Sequence, residues 1–511
     1  MDSNNSSNVP PTQVKKRKIN NDDSAAQAEV GGSEILSLMK QMMCTMSSMQ
    51  NKLDLVTHKL NNIEAKNDKL EAKNLHLESS LQQMSDRLRY NEVLLKNQKW
   101  KYPTDIWKPE FGIGHRRERE QEREQVERGL SFISKIKKAT CDMRYGITDG
   151  IVQISDSHHD HARGNYMPHW QEFAHALEEF KYYLQSSSLP RVTKSTFEIS
   201  SVHLPHDVIE LLSKALRDTY FESFMLEYNS MMGSGGFDFA MTYVHSNTIL
   251  RDFTFNENPI NSREDLSQLC DVIKVHPTLE SISMIAGCSG DDITGNEMLC
   301  CIIDAGGNKL KQINLSDNSI NTGRSSFLHD FLVTNPVLQK LILRENHIDD
   351  VDAKFLALAL RNNTNLEYLD LTDNPLTAEG VKQLMGVEFD ETSLNAAAAS
   401  NHTCRIINPH CPDFNGSRLT NPDDRPFEKK ALRAKKIYIL LSRGHMISSN
   451  VQKMGDADVE LLPTILSSIQ KYSTYHIGDH APNQHYDDAN ALSLVYEFMR
   501  HWDKAISALE L

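Results

Sequence analysis

No stretch of about 18 consecutive apolar residues occurs in this chain of 511 residues, so the sequence predicts no helix that crosses a bilayer. The opening residues, Met1 to Gln13, are polar and lack the apolar segment of a secretory signal, which leads to the expectation of an intracellular protein, cytoplasmic or nuclear. Positive charge is short as well: 55 Lys and Arg stand against 69 Asp and Glu, for a net charge of −14. That balance leaves no broad basic footprint to displace counterions from nucleic acid or to hold an anionic membrane, so neither is an expected partner. Eight cysteines without framework spacing fit thiols kept reduced. Catalytic signatures are also missing. The chain has no Gly-x-x-x-x-Gly-Lys-Ser/Thr loop, no Gly-x-Ser-x-Gly elbow and no His-Glu-x-x-His pair, so nothing warrants hydrolase or nucleotide chemistry, and we expect a non-enzyme with no cofactor. Ser157-His158-His159-Asp160-His161, and the set His402, Cys404, His410 and Cys411, carry zinc-ligand chemistry without a matching spacing; no metal is expected at either.

What is present begins with a polar arm, residues 1–33, too poor in apolar side chains to offset the entropy of ordering and therefore expected to be disordered. It carries Lys15, Lys16, Arg17 and Lys18, a compact basic run suited to a nuclear-import receptor. Residues 34–98 follow with an unbroken heptad. Met39, Met46, Leu53, Leu60, Asn67, Asn74, Leu81, Leu88 and Leu95 fall at a, and Ile35, Met42, Met49, Val56, Ile63, Leu70, Leu77, Met84 and Asn91 at d. Lys59, Lys66, Lys73 and Arg87 at g precede Glu64, Glu71, Glu78 and Glu92 at e by five residues, the pairing that joins parallel helices. Asn67 and Asn74 at a fix register and strand number, since a buried amide is satisfied by its twin across a two-stranded seam. A parallel homodimer specified by Leu53, Leu60, Asn67, Asn74, Leu81 and Leu88 is the expectation, with a rod roughly 90 Å long at about 1.5 Å per residue. The Gly31-Gly32 break between the basic run and the first heptad argues against a helical DNA-reading arm.

Residues 99–129 read as a linker and a charged stretch that is a short helix or disordered, and 130–190 as a cap in which Tyr145 to Ile154 can form a hairpin and Pro168 to Leu184 a helix. Then one frame is written three times: LKQINLSDNSI from Leu310, LQKLILRENHI from Leu338 and LEYLDLTDNPL from Leu366, an interval of 28 residues (310 to 338 to 366). Earlier copies open at Phe221, Leu250 and Leu279, the last with Gly287 where the others have Asn; degenerate copies are read at Val192 to Val202 and from Leu394. Helical periodicity fills the intervals, as in Arg263 to Val275 and Val351 to Leu360. Strand then helix at this period resembles the ribonuclease-inhibitor subfamily of leucine-rich repeats. The resemblance covers about residues 190–405 and implies an α/β leucine-rich-repeat solenoid, a horseshoe with an inner parallel sheet and outer helices. The solenoid is assigned to 191–406, a loop to 407–426 and a helical C-terminal cap to 427–511, built from Phe427 to Ser442, Ala457 to Lys471 and Asn490 to Leu509.

Within the frame, period-2 alternation sends Met225, Thr254, Ser283, Asn314, Ile342 and Asp370 to one concave column and Glu227, Asn256, Ile285, Ser316, Arg344 and Thr372 to the next. Tyr368 shares that face, and Glu257, Asp317, Glu345 and Asp373 precede each Asn as an acidic ridge. These residues are the candidate binding site for a protein of basic or mixed charge. The expected function is a dimeric, non-catalytic adaptor. The resemblance also allows a regulator of an enzyme, such as a Ran-like GTPase activator or a nuclease inhibitor, and cytoskeletal capping as in tropomodulin-like proteins.

Overall fold

The computed structural model describes residues 24–103, 116–146, 150–156, 166–185, 194–229, 235–288, 292–321, 326–407, 429–446 and 457–472, with Leu494, Val495, Phe498, Met499 and Trp502 beyond them. Nine parallel strands lie side by side in sequence order: β1 Ile151–Ser155, β2 Thr196–Ser200, β3 Ser223–Glu227, β4 Asp252–Asn256, β5 Ser281–Ser283, β6 Gln312–Asn314, β7 Lys340–Ile342, β8 Tyr368–Asp370 and β9 Arg405–Ile407. A single register runs across them, so that Val152, Phe197, Phe224, Phe253, Ile282, Ile313, Leu341, Leu369 and Ile406 form one buried spine. The outer layer is helical: α4 His206–Leu216, α5 Gly235–Ser246, α6 Arg263–Val275, α7 Gly295–Gly306, α8 Phe327–Val333, α9 Asp350–Leu360 and α10 Ala378–Glu388, followed by the short α11 Leu394–Ala399. This is the leucine-rich-repeat solenoid with a long helix before it, α1 Ser24–Asn97. Among the described residues no helix is long and apolar enough to cross a membrane.

Several expectations fail, most of them at the ends of the array. Tyr145 to Ile154 is not a hairpin: Tyr145 ends helix α2, Arg116–Tyr145, and Ile151–Ser155 pairs parallel with β2 as the first strand of the sheet. The charged segment before residue 129 is accordingly part of one 30-residue helix, not a short one. The last copy is not at Leu394, where Ser393 accepts from the Ala396 amide and starts α11; its strand is Arg405–Ile407. Here Asn401 does what Asn363 does one repeat earlier, its Oδ1 accepting from the amide three residues on, at 2.8 Å for both Cys404 and Leu366. The arm expected to be disordered through residue 33 is helical from Ser24, so Gly31 and Gly32 lie inside α1 and break nothing. Cys270 on α6 and Cys301 on α7, expected as thiols, are joined by a disulfide across neighbouring repeats.

The turn that follows each strand is held by a buried asparagine. Asn346 donates to the Leu315 and Arg344 carbonyls at 2.9 and 3.1 Å and accepts from the Asn318 and Ile320 amides at 3.0 and 2.9 Å. Asn374 donates in the same way to Leu343, Asn318 to Met284, Asn258 to Leu226 and Asn229 to Ile199. At Gly287, where the frame lacks its asparagine, the Gly287 carbonyl itself accepts from the Ile260 amide at 2.8 Å. Helix starts are fixed locally: Thr294 with Glu297 and Asp349 with Asp352 form capping boxes, and Ser262 and Thr377 cap through one hydroxyl each.

The molecule divides into two units, Met1–Gln82 and Gln83–Leu511. Within the second unit, α12 Lys429–Met446 and α13 Leu462–Tyr472 close the end of the array over a second apolar cluster containing Ile437, Leu441, Ile465, Phe498 and Trp502. Phe427 and most of the third expected cap helix lie outside the described residues. Lys436 is wholly buried, its Nζ donating to the Asn401 carbonyl at 2.7 Å and to the Glu388 carbonyl. Burial pushes its ammonium down to about 8 and the nearby Glu388 carboxyl up to about 7, each partly offset by the other.

Replacing Asn346 by Asp keeps shape and acceptor but removes both donors; we expect a loss of about 2–4 kcal/mol in denaturant unfolding, close to that of Asn346→Ala. The Lys436→Met variant leaves two carbonyls without their donor. Hydrogen exchange should then show α11, α12 and α13 opening more easily, by about 2–4 kcal/mol, while β1 to β7 keep their protection.

Candidate protein-binding site

The two concave columns expected from the frame are in place. Met225, Thr254, Ser283, Asn314, Ile342 and Asp370 are successive register partners, each half-buried on the sheet. Beyond the strand ends the ladder continues through backbone bonds, Glu257 N to Ile285 O at 2.7 Å, Asp317 N to Arg344 O at 2.9 Å and Glu345 N to Thr372 O at 2.9 Å. Not every expected contact residue is offered to a partner. Asn256 is buried, donating to Glu227 at 2.7 Å while accepting from the Ser283 hydroxyl and the Ile285 amide. Ser316 is buried too and donates to Asn314 Oδ1 at 2.7 Å. Both shape the surface from beneath. Tyr368 donates to Asp370, which also accepts from the Thr372 amide.

The acidic ridge has a backbone cause. Glu257, Asp317, Glu345 and Asp373 sit in the left-handed region with φ of 53, 54, 55 and 58°, and Ser201, Tyr228 and Ala286 fill the same slot in their repeats. That conformation excludes β-branched side chains and favours Asp, so part of the acid pattern is conformational. Glu has no such preference, so conformation does not account for Glu257 and Glu345. The ridge is also not uniform. Arg344 pairs with Glu345 at 3.0 Å and with Asp373 at 3.0 Å, offsetting one of the two negative charges of the C-terminal half. In the N-terminal half, the half-exposed Tyr228 ring stands among Glu227, Glu257 and Asp317. Burial first, then those carboxylates, push its phenol above the ordinary value, so it stays a neutral donor.

A groove of about 330 Å³ lies at the other margin of the sheet, lined by Asp252, Glu280, Ser281, Lys311, Gln312, Gln339, Lys340, Glu367 and Tyr368. Its charges alternate: Lys311 pairs with Glu280 at 3.0 Å, Arg251 with Glu280 at 3.1 Å, and Lys340 stands over the Tyr368 ring at 5.1 Å. Apart from Tyr368, sequence reasoning passed these residues over. They occupy the variable places directly after the first leucine of each frame, as Lys311 and Gln312 follow Leu310, and that recurrence is the signal that could have found them.

Along α1, Leu53, Leu60, Leu81 and Leu88 are all more than half exposed, and Asn67 and Asn74 are exposed beside them. The last turns of α1 belong to the second unit and show two faces. Asp86, Tyr90 and Asn97, at f and c, pack inward: the Tyr90 ring meets Tyr183 of α3 (Met167–Gln185) at 5.1 Å, and Asn97 donates to the Arg144 carbonyl and Glu179. Burial raises the Glu179 carboxyl, but Lys96 at 2.8 Å, Arg144 at 2.8 Å and Asn97 outweigh it and hold the group below its ordinary value. Gly146 permits this approach. It adopts φ +64°, and a Cβ there would meet Tyr90 Oη at 2.1 Å. Met84, Leu88 and Leu95, at d and a, remain exposed on the other side.

The basic run Lys15, Lys16, Arg17 and Lys18 and the histidine cluster at 157–161 lie outside the described residues, as do His410 and Cys411. His402 is committed to the Ala398 carbonyl at 3.0 Å, and Cys404 is buried. Among the described residues no group of three His, Cys, Asp or Glu is placed to hold a metal ion.

The family described as "Leucine Rich repeat" matches residues 334–357 and 362–385. Curated relatives include NACHT, LRR and PYD domains-containing protein 14 of Homo sapiens, 29% identical over 150 residues, which are 29% of this chain and 14% of that protein. Protein 4C of the same name in Mus musculus is 31% identical over 154 residues, 30% of this chain and 15% of its own length. Protein 5 in Bos taurus is 26% identical over 169 residues, 33% of this chain and 15% of its own. The chain thus spans about a seventh of the length of these relatives.

Proposed function

We propose that the chain is a non-catalytic adaptor that works in pairs: α1 joins two copies as a parallel coiled coil, and each solenoid, of the ribonuclease-inhibitor type, takes a protein partner on its concave face. The observation that carries the reading is the division of labour in the last turns of α1. Its c and f positions are used up against the N-terminal cap, while the apolar a and d positions stay exposed from Met39 onward and are flanked from Lys59 by g and e charges that match across a parallel pair. A lone helix packed on its own domain would have turned that apolar stripe inward.

The concave face supports a protein ligand because it offers side chains of mixed chemistry across the sheet. The acidic half around Glu227, Tyr228, Glu257 and Asp317 favours a partner that is basic where it meets these repeats; the groove at Lys340 and Glu280 favours mixed charge. We place the protein inside the cell, in cytoplasm or nucleus.

Two measurements check this. Replacing Leu60 and Leu81 by Lys in the full chain should convert a multi-chain particle to a one-chain mass in light scattering without lowering the melting temperature of the solenoid; a one-chain mass for the unaltered protein at micromolar concentration would remove the pair. Partners captured by proximity labelling should be lost from the Glu257→Lys/Asp317→Lys variant, about tenfold or more in affinity. The Glu345→Lys/Asp373→Lys variant, whose acids already face Arg344, should lose less. An unchanged partner list for the first variant would mean that the acidic face is idle.

A further inference from the structure

The exposed stripe on α1 is not the same along its length. From Lys59 onward most positions flanking the seam are charged, Ser80, Ser85 and Leu94 excepted, whereas its first flanking positions are apolar: Leu36 and Met43 fall at e and Leu38 at g. All three are more than half exposed, like Met39, Met42 and Met46 of the seam itself. Between Leu36 and Asn51 the only charged residue is Lys40, at b on the outer side. Where g-to-e pairs downstream read Lys59 to Glu64 or Lys73 to Glu78, here they read Leu38 to Met43 and Thr45 to Gln50.

A two-stranded coiled coil buries little beyond a and d, so a stripe that also takes in e and g is too wide for it and has the width of a bundle helix. We propose, on the premise that α1 pairs as described above, that residues 36–49 of two such pairs overlap as a four-helix bundle, so that the assembly is a dimer of dimers. The occupant of the wide stripe is a second copy because the surface is self-complementary: it is uncharged, and methionine repacks readily against its own kind. The overlap must be antiparallel and confined to these residues. Further along, Lys59, Glu64, Lys66 and Glu71 would be drawn into a four-helix core and lose water, which holds the remainder of each rod to two strands. Two pairs meeting this way close with D2 symmetry and leave no free stripe.

The test is light scattering or native mass spectrometry of the full chain, whose monomer is 58.1 kDa, from nanomolar to tens of micromolar. The unaltered protein should reach four chains, and L36Q/L38Q/M43Q, which leaves every a and d residue in place and uses a good helix former, should stop at two with unchanged helical circular dichroism. A mass of two chains for the unaltered protein at all concentrations would overturn the bundle and leave the pair standing. One chain would overturn both. Four chains persisting in the triple variant would place the junction elsewhere, and a two-chain particle that carries another protein's helix on residues 36–49 would replace the second copy with that partner.

Discussion

A backbone that turns every 28 residues or so must satisfy its polar groups inside each turn, and here a single buried amide does this repeatedly. Asn346 satisfies two carbonyls and two amides that belong to its own turn and the turn before it, so each repeat is tied to its neighbour by the side chain that also folds it. The left-handed residue that precedes the asparagine is part of the same device: it aims the amide inward and its own side chain outward. The acidic ridge is therefore anchored on the most constrained point of the repeat, which gives its carboxylates fixed positions along the edge of the sheet. The interruption at Ala286 and Gly287 removes both features at once, the amide from the core and the charge from the rim.

A solenoid built by stacking has two raw ends, and this chain covers them by different physics. At the N-terminal end α2, α3 and the last turns of α1 bring aromatic rings and one shared carboxylate: Glu179 is held by Lys96, Asn97 and Arg144, and Arg144 lies over Trp100 at 4.6 Å. At the C-terminal end a separate apolar cluster is pinned by Lys436, whose ammonium reaches carbonyls on either side of α11. An apolar residue at 436 would pack but would leave those carbonyls without donors, so the buried charge has a structural reason.

How much of this the sequence disclosed depended on how closely each repeat kept to leucine. The last three units, the concave columns, the asparagines and the outer helices were legible because period-2 and helical patterns alternate at a fixed interval. The early strands were harder, since Phe197, Phe224 and Phe253 stack where later repeats have Ile or Leu, with Phe197–Phe224 at 5.6 Å. The first strand escaped because 45 residues separate Val152 from Phe197, its register partner (152 to 197), and the last because α11 is inserted before it. Nor does a frame reveal which polar side chains face inward: Asn256 and Ser316 occupy outward-pointing places yet are drawn into hydrogen bonds and buried.

The surface chemistry bears on what the proposed pairing would do. Its cations are answered within the molecule, Arg344 by two acids, Lys311 and Arg251 by Glu280, and half-exposed ion pairs of this kind contribute about 1 kcal/mol or less when exchanged for those of a partner. One face alone then discriminates better than it holds. In the proposed pair two faces would share one rod, and after the first is engaged the second would bind at an effective concentration in the millimolar range, raising avidity by about 10²–10⁴ without a new contact. This gain requires a target that repeats itself, as another oligomer or a filament does. Under that proposal the charged heptads would also set the kind of partner the face can retain.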